Sequence, residues 1–264
     1  MDTRTFSAPK VPAVFAMFWV VKLLTTGIGE AGADYLAKVN LLLAAAVGLF
    51  GFLLAMRTQL RAEDYHPVRY WVAVLMVAIF GTMCADGPHL VLGTPYWLDA
   101  ALCAAALGGL FIWWQRSEGT LSVHSITTAR RERFYWAAVL LTFGEGTALG
   151  DTTAFNAHLG YAWSTLLFGV AILVPLALWR GGRLNAVAAF WGSYVLTRPL
   201  GASIADWLGK PTAKGGLGVG DGIVFLVGLV VFGVLVGYLT RSHADRDEPA
   251  LGLDPQAVGI DQPS

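Results

Sequence analysis

Residues 136–151, WAAVLLTFGEGTALGD, form a unit that the chain repeats. Gly146 lies five residues before Asp151 and Trp136 fifteen before it; the same offsets return before Asp34 (Gly29, Trp19), Asp86 (Gly81, Trp71) and Asp206 (Gly201, Trp191). Self-similarity of this kind marks a repeat architecture, and a carboxylate held inside an apolar run is costly enough to imply a function. The expectation is a fourfold-repeated transport protein whose working groups are these aspartates.

Composition supports a bilayer setting. The chain of 264 residues is 56% hydrophobic and 14% charged, has ten Trp and has a mean hydropathy of +0.59, too apolar for an ordinary soluble domain. Net charge is zero and no basic block carries interleaved aromatics, so nucleic acid is not an expected partner. Cys84 and Cys103 fall in apolar segments without metal-type spacing and read as packing residues. The polar stretch MDTRTFSAPK runs into an apolar span with no cleavage-site pattern close behind it, so the first span is expected to be retained.

Apolar runs near 11–33, 39–56, 68–87, 97–114, 134–153, 159–179, 186–206 and 220–240 are long enough to cross a membrane as helices. The fold class is therefore an all-α integral membrane protein of eight transmembrane helices. They form four two-helix repeats in pseudo-fourfold or two-plus-two arrangement. Residues 1–114 make the first membrane half, 115–133 a cytoplasmic linker, 134–240 the second half, and 241–264 a tail to which no structure is assigned. Arg198-Pro199 interrupts the seventh run and predicts a kinked or locally unwound helix. Arg4, Lys10, Arg57, Arg61, Arg69, Arg116, Arg130, Arg131, Arg133, Arg180, Arg183, Arg241 and Arg246 fall on the side of the termini, against Lys38, Lys210 and Lys214 opposite. Thirteen against three places both termini in the cytoplasm of a bacterial inner membrane. Each repeat Trp then sits at the cytoplasmic interface. Its aspartate is roughly 22 Å further on at about 1.5 Å per residue, in the outer third of the bilayer.

Small residues precede Asp34, Asp86, Asp151 and Asp206, which lets the four helices pack closely and bring the carboxylates toward a common axis or into two pairs. Oxygen ligands alone suit a hard divalent cation or a proton relay, and these four are the candidate metal ligands. The opposing possibility is that each aspartate only ends its helix against backbone. Glu30, four residues before Asp34, and Glu145, six before Asp151, extend the ion- or proton-binding set; Thr82 and Ala202 occupy the offset of Glu30 in repeats two and four. Asp99 and Asp221 begin even helices and serve either the helix dipole or an outer vestibule. Arg198, eight residues before Asp206, needs a buried carboxylate partner and is read as the counterion, paired with one of the repeat acids such as Glu145. Lys22, three residues after Trp19, is expected to snorkel to the cytoplasmic edge, and His89 and His158 to lie in surface loops.

The segments KVPAVFAMFWVVKLLTTGIGEAGADYL, HPVRYWVAV, TTARRERFYWAAVLLTFGEGTALGDTTA and YVLTRPLGASIADWLGKP resemble a family of bacterial multi-pass "membrane-anchored" proteins. The resemblance spans about residues 10 to 240 and implies an inner-membrane protein without bringing an activity. A partial second likeness is to manganese and calcium exporters with Glu-x-Gly-Asp-(Lys/Arg)-(Ser/Thr). Gly150-Asp151-Thr152-Thr153 matches in part, with Ala148 where the motif has Glu and no basic residue after Asp151.

These residues lead to a secondary transporter exporting a divalent cation (Mn²⁺, Mg²⁺ or Ca²⁺) in exchange for protons. The carboxylates bind the ion, Arg198 neutralises the emptied site and Pro199 supplies a joint. The rivals are a channel-like proton or cation bundle and a non-transporting scaffold or sensor. No nucleophile is paired with a base, so no catalytic residue is assigned, and no cofactor is called for beyond the cation itself. Expected partners are the lipid bilayer, the inorganic cation and protons; the readings are compatible with a homo-oligomer.

Overall fold

Close packing of four glycines organises the molecule. The computed structural model describes residues 4–6 and 8–245. The helices bearing the repeated Trp, Gly and Asp are α1 (Ala16–Val39), α3 (Pro67–Leu92), α5 (Ala129–Asp151) and α8 (Ala186–Gly209). They pack in a closed ring, α1 on α3, α3 on α5, α5 on α8 and α8 back on α1. At every junction the repeat glycine meets the residue three positions before the glycine of the next repeat. A methyl on Gly29 would lie 2.5 Å from the Cβ of Ala78, on Gly81 2.6 Å from the Cβ of Phe143, on Gly146 2.9 Å from the Cδ of Pro199 beside Arg198, and on Gly201 2.7 Å from the Cβ of Thr26. No side chain fits at any of the four, so the pseudo-fourfold arrangement is written into the offset itself.

The remaining helices form an outer layer: α2 (Leu41–Arg61), α4 (Tyr96–Glu118), α6 (Gly160–Ala171) continued after Ile172 by α7 (Leu173–Arg180), and α9 (Asp221–Ser242). Each outer helix lies mainly on the ring helix of the following repeat: α2 on α3, α4 on α5, α6 and α7 on α8, and α9 on α1. Their outward faces carry Leu42, Phe50, Leu54, Leu102, Trp113, Trp163, Val170, Leu226, Val230 and Val234, all exposed. Among the described residues, five helices are long and apolar enough to cross a membrane: α2, α3, α4, the joined α6–α7, and α9. Helices α1, α5 and α8 fall short because their inward faces are polar, and the others enclose them.

Local signals explain the helix ends. Asn40, Thr128 and Asn185 cap α2, α5 and α8 by accepting from the backbone N–H of Leu43, Arg131 and Ala188. Gly93 and Gly119 end α3 and α4 in the left-handed conformation that costs glycine nothing.

Several expectations are corrected. α8 runs unbroken through Pro199, so the unwound joint is not formed there. The linker is shorter than 115–133: α4 continues to Glu118 and α5 starts at Ala129. Between them, Val123 and Ile126 are buried, and the N-terminal segment pairs with the linker at Thr5 and Thr128. Lys10 is not a solvent-facing topogenic charge; its Nζ donates to Glu132 at 2.6 Å and to the Gln59 carbonyl at 3.1 Å. Burial pulls its pKa below the ordinary lysine value despite the opposing influence of Glu132. The tail is structured as far as Asp245, whose carbonyl accepts from Ala13 and whose carboxylate accepts from Tyr65; residues 246–264 lie outside the described part of the chain. Finally, Trp71, Trp136 and Trp191 do not face outward as lipid-contacting rings would. They are buried with Tyr70, Tyr135 and Phe134 in an aromatic layer inside the bundle.

Candidate functional site

Steps of four residues back from each repeat aspartate give successive layers across the ring, because i and i+4 share a helix face. Seventeen residues of helix thus become a column of side chains turned toward the inside of the ring. Sixteen residues back are Phe18, Tyr70, Tyr135 and Phe190, where the Tyr70 and Tyr135 hydroxyls are 2.5 Å apart. Twelve back are Lys22, Val74, Val139 and Tyr194; eight back are Thr26, Ala78, Phe143 and Arg198; four back are Glu30, Thr82, Thr147 and Ala202. All the side chains in these last two layers are buried.

Arg198 binds the ring together. It is 0% exposed, and its guanidinium reaches all four ring helices. Nε donates to the Phe143 carbonyl at 3.2 Å and Nη1 to the Thr26 carbonyl at 2.8 Å. Nη2 donates to Glu30 Oε2 at 2.9 Å and lies against the Thr147 hydroxyl at 2.6 Å and the Thr82 hydroxyl. Glu30 Oε2 also accepts from Thr147 at 3.2 Å. The partner of Arg198 is therefore Glu30 and not Glu145. Glu145 is two residues from the axial Thr147, roughly 200° round the helix at about 100° per residue, and so faces α4 near Cys103. Its Oε2 is buried there, with no hydrogen-bond partner among the described residues.

One layer further, the repeat aspartates converge in part. Single carboxylate oxygens of Glu30, Asp34 and Asp86 lie within 4.8 Å of one another. Asp34 and Asp206 share Lys210, which contacts Asp34 directly and lies 3.3 Å from Asp206. Burial works against the charge on Lys210, but Asp206 and Asp34 more than offset this and hold its ammonium well above the ordinary lysine range. Asp151 is near enough to Asp206, Asp86, Glu30 and Asp34 to feel their charge. Among the described residues neither Asp86 nor Asp151 has an ion-pair partner. The helices are irregular beside both: Pro88 lies inside α3, and α5 opens into a wide π turn at Thr152–Asn156.

The other candidates stand apart from this cluster. Asp99 is buried in the first turn of α4 and accepts from the Thr94 hydroxyl at 2.7 Å. Asp221, in the first turn of α9, is ion-paired with Lys38 and lies within range of Asp34. His89 is half-buried, hydrogen-bonded to the Thr94 carbonyl at 2.7 Å and stacked on Tyr96, whereas His158 is exposed. Lys22 does not snorkel. It is 1% exposed, and its Nζ lies 4.1 Å from the ring centre of Phe143 and 4.3 Å from that of Tyr194. Sequence reasoning missed the bridging role of Lys210, which follows Asp206 by four residues and so shares its helix face; Lys38 has the same offset from Asp34 but is exposed and pairs with Asp221.

Known proteins bear on this arrangement through its repeats. No curated protein and no solved structure matches the chain. A family model described as "Repeat of Unknown Function (DUF347)" matches it four times, over residues 17–65, 69–120, 134–181 and 189–245, and carries no link to metal exporters. Each match takes in one ring helix and the outer helix that follows it, so the chain belongs to the DUF347 repeat family.

Proposed function

We propose that the protein is a multi-pass bacterial inner-membrane carrier, both termini cytoplasmic, that exchanges a divalent cation for protons at the acidic end of its four-helix ring. The observation that carries this reading is the meeting of Glu30, Asp34 and Asp86 oxygens within 4.8 Å inside an apolar bundle. Carboxylates this close repel one another unless a cation or a proton lies between them, and an all-oxygen set favours Mg²⁺, Ca²⁺ or Mn²⁺. Arg198 and Lys210 flank the cluster as tethered cations. Lys210, on a loop after α8, can withdraw as a mobile ion enters, while Arg198 is fixed by its contacts to all four ring helices. Asp86 and Asp151, without ion-pair partners among the described residues and beside helix irregularities, are the acids best placed to change partners.

Liposomes containing the purified protein, loaded with a metal-sensitive dye and a pH dye, test this. Uptake of Mn²⁺, Mg²⁺ or Ca²⁺ with opposite proton movement is expected, and Asp86→Asn and Asp151→Asn should each abolish it. Wild-type flux in both variants, or no flux of any of the three ions in the wild type, removes the reading. The anchoring of Arg198 to all four ring helices favours a second possibility, a rigid scaffold. That possibility predicts no flux and no cation-dependent change in stability.

A further inference from the structure

Lys22 is a buried cation for which the carboxylate cluster gives no account. It sits on the ring axis two layers from Glu30, eight residues away along α1, which is roughly 12 Å at about 1.5 Å per residue. Its Nζ is enclosed, and among the described residues it has neither a hydrogen-bond partner nor a carboxylate. Two aromatic faces, Phe143 and Tyr194, cover it, and this is the usual protein environment for an ammonium held without a counterion. The same enclosure accepts the neutral amine, since no fixed anion demands the charge. A side chain provided for in both protonation states is a place to keep a proton.

The groups facing it do not supply a competing explanation. α8 presents Arg198 and Tyr194, whose buried hydroxyl lies close to that of Tyr135. α5 and α3 bring Tyr135 and Tyr70 in the layer below, already hydrogen-bonded to each other. α2 has no titratable residue before Arg57, and α9 none between Asp221 and Tyr238.

We propose that Lys22 is a proton site of the exchange: its Nζ takes up a proton when the acid cluster releases the cation and gives it up when the cation returns. This rests on the carrier reading above. The coupling needs no chain of hydrogen bonds, because two like charges on one axis oppose each other through space. At roughly 12 Å and an effective dielectric constant of about 20, a unit charge on Lys22 weakens binding of even a monovalent charge about tenfold.

Mn²⁺ binding to the full-length protein in detergent, measured by the loss of the free-ion EPR signal across a pH series, tests this. Lys22→Met removes the charge at every pH, and Lys22→Arg fixes it at every pH, since arginine does not deprotonate in proteins. The wild type is expected to bind as weakly as Lys22→Arg at the acid end of the series and as tightly as Lys22→Met at the alkaline end. Because Mn²⁺ carries two charges, the two variants should differ about a hundredfold throughout. If the wild type binds Mn²⁺ and its isotherms are matched by both variants at every pH, the assignment of Lys22 is wrong while the cluster stands. If the wild type binds no Mn²⁺ at any pH, the cluster reading fails and this inference with it. Should one variant not fold, coincidence of the other with the wild type at both ends of the series still overturns the assignment.

Discussion

Glu30→Gln would leave the Arg198 guanidinium fully buried with no carboxylate in contact, while keeping nearly every hydrogen bond. Nε and Nη1 retain the carbonyls of Phe143 and Thr26, and Nη2 retains the hydroxyls of Thr82 and Thr147. The loss is electrostatic. Breaking a buried pair from one side costs about 3–5 kcal/mol. Asp34 and Asp86 lie within 4.8 Å of the Glu30 oxygen and can take up part of the charge, so the expected value is about 3 kcal/mol. Arg198→Met should cost more, about 5 kcal/mol, because it strands Glu30 beside those two acids. In the double variant no opposite charges remain to be separated, and stability should return to within about 1 kcal/mol of the wild type. Reversible unfolding in mixed micelles, followed by tryptophan fluorescence, gives all four corners of the cycle. If Glu30→Gln costs less than about 1 kcal/mol, or if the two single effects simply add, the pair does not hold the ring together as argued.

Further expectations concern packing and orientation. Gly201→Ala places a methyl against Thr26 and should destabilise by about 1–3 kcal/mol, whereas Gly108→Ala, where a methyl meets nothing within 4 Å, should be neutral in the same assay. In a background without Cys84 and Cys103, cysteines introduced at Lys214 and at Arg183 should react with a membrane-impermeant maleimide from opposite faces of the membrane. Labelling of both from one face would contradict the alternation of helices. Glu145→Gln, which keeps the shape of a side chain turned toward α4, should leave cation flux in liposomes at the wild-type level, while loss of flux would return Glu145 to the site.

The period of the repeat was the most legible feature. Trp, Gly and Asp at fixed offsets specify four equivalent helices, and the glycine offset proves to be the point of closest approach at every ring junction. Other features were less accessible, for physical reasons. Depth along a helix does not say which way a side chain faces; Glu145 is at the right level and on the wrong side of its helix. Closeness to the half-buried Trp19 suggests an interfacial Lys22, an inference that fails because one turn further along α1 the side chain turns inward between Phe143 and Tyr194. Following the column in steps of four would have placed Lys22, Arg198, Glu30 and Lys210 on one line. What no such pattern reveals is the displacement of each outer helix onto the next repeat, since that is fixed by contacts distant in sequence.

That displacement determines how the chain can be assembled. Every hairpin offers a socket on its first helix and a plug in its second, so a hairpin is complementary to its neighbour and cannot satisfy itself. Such head-to-tail surfaces close into a ring when the rotation suits, and here four linked copies accomplish this within one polypeptide. The joint of α9 against α1 unites the outer helix of the fourth repeat with the ring helix of the first, and until it forms α1 has an open flank. Loss of the last hairpin would therefore leave two vacant joints at opposite ends of the chain, with three remaining hairpins unable to close the circle.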